Sequence, residues 1–202
     1  MLKNLAENLA QILAANNIIK VEDYDVYRYG LELVISKIIM YTIVLIIALL
    51  TNTLLFSVLF IGMYMVLRQY TGGFHCKSAE MCLVVSVLIY LIVLLFYLVN
   101  LINIKIIFAT ISLTIPLIVL IFSPVESVNN PLTIDEKSKY HRSAVIVSII
   151  LLFIMCVSLL INIDVFFYAS SESLTADAVL IILSLRRSKN EKDCYESNSY
   201  NG

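Results

Sequence analysis

Long apolar runs alternate with short polar breaks along most of this chain. Six runs stand out: Leu33–Leu50, Leu54–Leu67, Leu83–Leu101, Ile106–Phe122, Ser143–Ile161 and Val165–Leu185. A spanning helix needs about 20 mostly apolar residues. The pattern therefore predicts an all-α, polytopic integral membrane protein with about six transmembrane helices. The second run is short, since its residues rise only about 21 Å as a helix. Either that helix continues through Arg68 and Tyr70, or the loop after it dips below the headgroups. The sixth run carries Ser170, Ser171, Glu172, Ser173 and Asp177 in its middle. Glu172 and Asp177 there mark an ion path, show that the last helix begins near Thr175, or face a bundle interior. Thr51-Asn52-Thr53 reads as a tight turn, and Pro116 as a kink in the fourth span.

Ahead of the runs, residues 1–16 place Leu2, Leu5, Leu9, Ile12 and Leu13 on one helical face, with Lys3, Glu7, Asn8 and Gln11 opposite. This predicts an N-terminal amphipathic helix in the membrane interface, or else one packed on the protein's own surface. Residues 21–32 are polar and tyrosine-rich, as at a headgroup boundary. The first residues lack the apolar core of a signal peptide.

Charge adds orientation. With six spans, all but Lys105 of the 14 Lys and Arg fall on the side that holds both termini. The positive-inside rule then gives an N-in/C-in topology with the segment Arg68–Cys82 on the cytoplasmic side. Composition agrees, being 60% hydrophobic and only 14% charged, where a soluble domain is nearer one quarter charged. A net charge of −1 argues against a strongly basic nucleic-acid binder. No linker or repeat divides the chain, so residues 1–190 read as a single membrane-embedded domain and 191–202 as a polar, disordered cytoplasmic tail. Cys76, Cys82, Cys156 and Cys194 form no disulfide framework.

Arg68–Cys82, reading RQYTGGFHCKSAEMC, is the long polar interruption of the first half of the chain. It holds Arg68, Gly72-Gly73, His75, Cys76 and Cys82. In one unbroken helix His75 and Cys82 would lie about 10.5 Å apart along the axis, too far for a hydrogen bond. Gly72-Gly73 are poor helix formers, and Ser78 is a good N-cap that starts the next helix at Ala79. His75 then lies on a loop able to fold back toward Cys82 in the first turns of that helix, where the dipole favours a thiolate. This is the arrangement of a cysteine nucleophile with a histidine base. Other readings stand beside it. Cys82 can be an ordinary buried cysteine and His75 a solvated interfacial one. Zinc could be held by His75, Cys76, Cys82 and His141, although the usual paired spacing is missing. Glu32 could orient His75, or sit in water at the interface. A small six-helix transporter or channel with a re-entrant glycine-bearing loop is the alternative from another class.

At this point the sequence resembles the accessory gene regulator B family, membrane cysteine peptidases of quorum sensing. The pattern that carries the likeness is Arg68, Gly72-Gly73, His75 and Cys82 without a gap. Tyr29-Gly30-Leu31-Glu32 and the loop with Pro124 and Asn130-Pro131-Leu132 add support. The resemblance covers roughly residues 1–190. It implies a membrane-bound endopeptidase that removes the C-terminal part of a small amphipathic, AgrD-like pro-peptide and helps cyclise the remainder into a thiolactone or lactone. Carried over, Cys82 matches the nucleophile and His75 the general base, with Arg68, Gly73 and Glu32 supporting. Cys76 departs from the small residue expected after the histidine. The implied setting is the bacterial plasma membrane with the active site on the cytoplasmic side. The implied partners are the pro-peptide and the lipid bilayer, with a homodimer left open; no cofactor, metal or nucleic acid is expected.

Overall fold

Three helices of this chain stop at an asparagine in the left-handed conformation: Asn52, Asn100 and Asn162 have φ of 54°, 39° and 55°. Asparagine is one of the few residues besides glycine that tolerates this geometry. The computed structural model describes all residues except 1, 17, 73–77, 101, 126–131 and 200–202, and leaves out the side chains of 21, 102–104 and 187–199. Among the described residues there are seven α-helices: α1 (Leu2–Ala15), α2 (Tyr24–Leu50), α3 (Leu54–Thr71), α4 (Ala79–Val99), α5 (Ile102–Phe122), α6 (Ile134–Leu160) and α7 (Asp164–Ser199). Helices α2 to α7 each contain a stretch long and apolar enough to cross a membrane. The chain is thus an all-helical, multi-pass membrane protein.

The helices outrun the apolar runs, because backbone hydrogen bonding does not stop where hydrocarbon stops. α2 begins at Tyr24, its first turns joined by the Arg28–Asp25 pair at 3.4 Å. α6 begins at Ile134, where Thr133 and Glu136 form a reciprocal capping box. α3 continues through Arg68 and Tyr70 to Thr71, which settles the short second run in favour of the longer helix. α4 stops at Val99, two residues before the end of its apolar run, at Asn100. α5 continues past Pro116. α7 begins at Asp164, not near Thr175.

The chain divides into two units. One comprises Met1–Thr53 and Cys76–Ile92; the other comprises Leu54–His75 and Val93–Gly202. In the first, α1 packs on α2 through the buried Ala6 and Ala10, and Arg28 reaches Glu7 at 3.3 Å. Leu5, Leu9 and Ile12 on α1 remain 49%, 38% and 56% exposed. Its fully buried positions are thus small residues.

In the second unit α7 packs against α3, α5 and α6. Of its spanning stretch 67% is buried, against 17–28% for the other five spans. Ala169, Ser170, Ser171, Ser173 and Ala178 are all buried, and small side chains let neighbouring backbones approach. Ser173 donates to the Phe60 carbonyl of α3 at 3.2 Å, and Ser112 of α5 to the Ser171 carbonyl at 3.4 Å. Near the start of α7, Asp164 accepts from Lys105 at 2.5 Å and from Asn100 at 2.9 Å. Tyr168 donates to Asn100 at 3.1 Å and meets Tyr97 edge-on at 5.8 Å, while Tyr97 stacks on Phe56 at 4.0 Å. Polar contacts and rings fix one end of α7; its middle carries the more consequential charges.

Candidate active site

Ser78 caps α4 as its position in the sequence predicts. Its Oγ accepts the Met81 N–H at 3.3 Å, and its carbonyl accepts the Cys82 N–H at 3.1 Å. Cys82 therefore closes the first turn of α4, half-buried and reduced. On α2, the buried Ser36 hydroxyl donates to the Ala79 carbonyl at 3.2 Å and ties α2 to the start of that helix. Glu32 lies one turn before Ser36 on the same face of α2 and is half-buried.

The other unit holds the Arg68 end of the motif. Arg68 pairs with Asp177 of α7, Nη1 to Oδ1 at 3.4 Å, and the Thr71 hydroxyl donates to the same Oδ1 at 2.9 Å. Asp177 is 0% exposed, and its Oδ2 has no hydrogen-bond partner among the described residues. A lone carboxylate here would be costly, and the guanidinium compensates it. Beyond Thr71 the chain turns through Gly72, whose φ is +68°. Val125 donates its N–H to the Thr71 carbonyl at 2.9 Å, and Gly72 bridges to Val125. His141 on α6 donates from Nδ1 to the Ser123 carbonyl at 2.7 Å, since a carbonyl only accepts. The ends of α3 and α5 and the flanks of α6 and α7 are thereby laced together.

Of the residues singled out in the sequence, Arg68, Cys82 and Glu32 are described and Gly73 and His75 lie outside the described residues, as does Cys76. Arg68 belongs to one unit, Cys82 and Glu32 to the other. Asp177 and Glu172 both face the bundle interior. Glu172 is 1% exposed, with neither oxygen partnered among the described residues. No group of three or more His, Cys, Asp or Glu placed to hold a metal occurs among the described residues. Sequence reasoning missed the partner of Arg68. A signal was present, because Arg68 follows directly on the second apolar run and Asp177 lies inside the sixth, and charges inside apolar runs need compensation.

A family model described as Accessory gene regulator B matches residues 6–185. The chain is 25% identical over 190 residues to AgrB-like protein 2 of Clostridium perfringens strain 13, covering 91% of this chain and 86% of that protein. It is 27% identical over 192 residues to an AgrB-like protein of Clostridium perfringens strain SM101, with the same coverage of each. No solved structure matches the chain. With the model covering most of its length, the chain belongs to the accessory gene regulator B family, whose members take part in accessory gene regulator peptide processing.

Proposed function

We propose that the chain is a membrane-bound cysteine endopeptidase of the bacterial plasma membrane. It cleaves the C-terminal part from a small amphipathic pro-peptide at the cytoplasmic face and passes the remainder on to cyclisation. The observation that carries this reading is the placement of Cys82, which closes the first turn of a helix capped by Ser78. A helix N-terminus stabilises developing negative charge, and the cysteine follows His75 within the family's uninterrupted Arg68, Gly72-Gly73, His75, Cys82 pattern.

The chemistry follows from those groups. His75 takes the Cys82 proton, and the sulfur attacks the scissile carbonyl. The C–N bond breaks with His75 returning the proton to the leaving amine, so the C-terminal segment departs and a thioester remains on Cys82. A thiol or hydroxyl of the retained peptide then attacks that thioester, closes the ring and restores the Cys82 thiol. Exchange of one thioester for another changes bond energy little, which suits a cysteine better than a serine. Arg68 or backbone N–H groups near Gly73 stabilise the oxyanion.

The test is capture of the acyl-enzyme. A tagged pro-peptide incubated with the wild-type chain in membranes forms an adduct that shifts on a gel and is released by hydroxylamine. Cys82→Ala abolishes both adduct and cleavage, a loss of several orders of magnitude, and His75→Ala does the same while the protein remains inserted. Cys76→Ala preserves both. An adduct lost in Cys76→Ala and kept in Cys82→Ala would overturn the assignment of the nucleophile.

A further inference from the structure

We propose that Asp177 is a positioning residue for the peptidase reaction, holding the Arg68 guanidinium and the Thr71 hydroxyl so that α3 ends, and the chain turns at Gly72, in a fixed place. The inference rests on the peptidase reading above and extends it to the last spanning helix. One oxygen of Asp177 receives both groups, Thr71 at 2.9 Å and Arg68 at 3.4 Å. These partners lie a turn apart on α3, on the one face turned toward α7. Thr71 is 0% exposed, and it is the last residue of α3. Its carbonyl is held in turn by the Val125 N–H at 2.9 Å. The residue preceding Gly72 is thus fixed through both its side chain and its backbone.

Energetics favour a positioning role over simple adhesion. Burying a carboxylate is costly, and an apolar contact would hold α3 to α7 without that desolvation. Asp177 instead holds a cation whose place in the sequence is four residues before Gly72. A fork-shaped guanidinium takes its direction from its acceptor. Small displacements of a reacting group lower rates by about 10²-fold, so the direction matters even though Asp177 touches no substrate.

The experiment uses the full-length chain in membranes and a tagged pro-peptide that wild type cleaves and Cys82→Ala does not. Asp177→Asn keeps the acceptor for Thr71 and removes the charge facing Arg68. It should lower kcat about 10²-fold with KM unchanged, and Asp177→Glu should recover part of the loss. In an Arg68→Gln background Asp177→Asn should add nothing, because the two act as a unit. Glu172→Gln removes a second buried carboxylate of α7 and serves as the comparison for a purely structural role. A second readout needs no substrate: with Cys82, Cys156 and Cys194 replaced by Ala, maleimide labels Cys76, just past His75. Asp177→Asn should change that labelling rate several-fold and Glu172→Gln should not. Wild-type cleavage in Asp177→Asn, additive losses with Arg68→Gln, or equal effects of the two carboxylate variants on Cys76 labelling would each overturn the proposal. Cleavage that survives Cys82→Ala would instead sink the peptidase reading, leaving the labelling comparison to decide the role of Asp177.

Discussion

The Val125 N–H donates to the Thr71 carbonyl at 2.9 Å, and this single bond lays the Ser123–Val125 segment against the turn that follows α3. Gly72 permits the close approach of these two segments. A β-carbon there would lie 2.5 Å from the Val125 carbonyl oxygen, on a backbone with φ of +68°. Gly72→Ala should therefore cost more than the ~1–2 kcal/mol of the left-handed conformation alone. Detergent-solubilised protein should unfold at a lower temperature, and cleavage of the pro-peptide should fall at least tenfold. Unchanged melting in Gly72→Ala would mean that the two segments do not meet in solution.

Removing the Ser78 hydroxyl leaves the first N–H groups of α4 without their side-chain acceptor. Ser78→Ala should cost about 1 kcal/mol and slow cleavage a few-fold, while Ser78→Asp restores the rate. Immunoblot time courses in membranes give the comparison. Equal rates in all three chains would detach the cap from the placement of Cys82.

His141 holds a carbonyl and has no assigned part in the chemistry. His141→Ala should lose a hydrogen bond worth about 1 kcal/mol, seen as a modest drop in melting temperature. Cleavage should remain within a few-fold of wild type. A loss as complete as that of His75→Ala would point to a ligand or base role for both histidines.

Orientation is open to a direct test. In a chain whose four cysteines are replaced, Thr133→Cys should react with an impermeant maleimide only from the cytoplasmic side, and Asn162→Cys only from outside. The reverse pattern would place the Arg68–Cys82 segment on the external face and remove it from contact with a cytoplasmic pro-peptide.

The spans, the turn at Asn52 and the Ser78 cap were legible because their signals are local: an apolar run, a residue that tolerates positive φ, a hydroxyl ahead of a helix. The extensions of α2 and α6 were harder to see, since helix continues into polar sequence that hydropathy discounts. Asp177 and Glu172 posed a different difficulty. Their serine-rich surroundings look like a solvated segment until α3, α5 and α6 are packed around them, and that packing is not periodic in any one stretch. The partnership of Arg68 with Asp177 joins residues 109 positions apart. Compensation of charge could have suggested it, but only tertiary contact identifies which acid answers which base.

The burial of α7 also bears on how the protein is made. An aspartate at the centre of a spanning helix costs roughly 2.5–3.5 kcal/mol on insertion scales, and α7 carries Glu172 and Asp177 together with Ser170, Ser171 and Ser173. Leaving the translocon as a lone segment is unfavourable for such a helix. It follows the other five spans in the sequence, so α3, α5 and α6 are already synthesised when it emerges. They supply the surface on which its polar residues can settle and the guanidinium that answers Asp177. α7 would then dock onto spans already in place, and a ribosome paused before Asp164 would leave Arg68 waiting in the bilayer for its counter-charge.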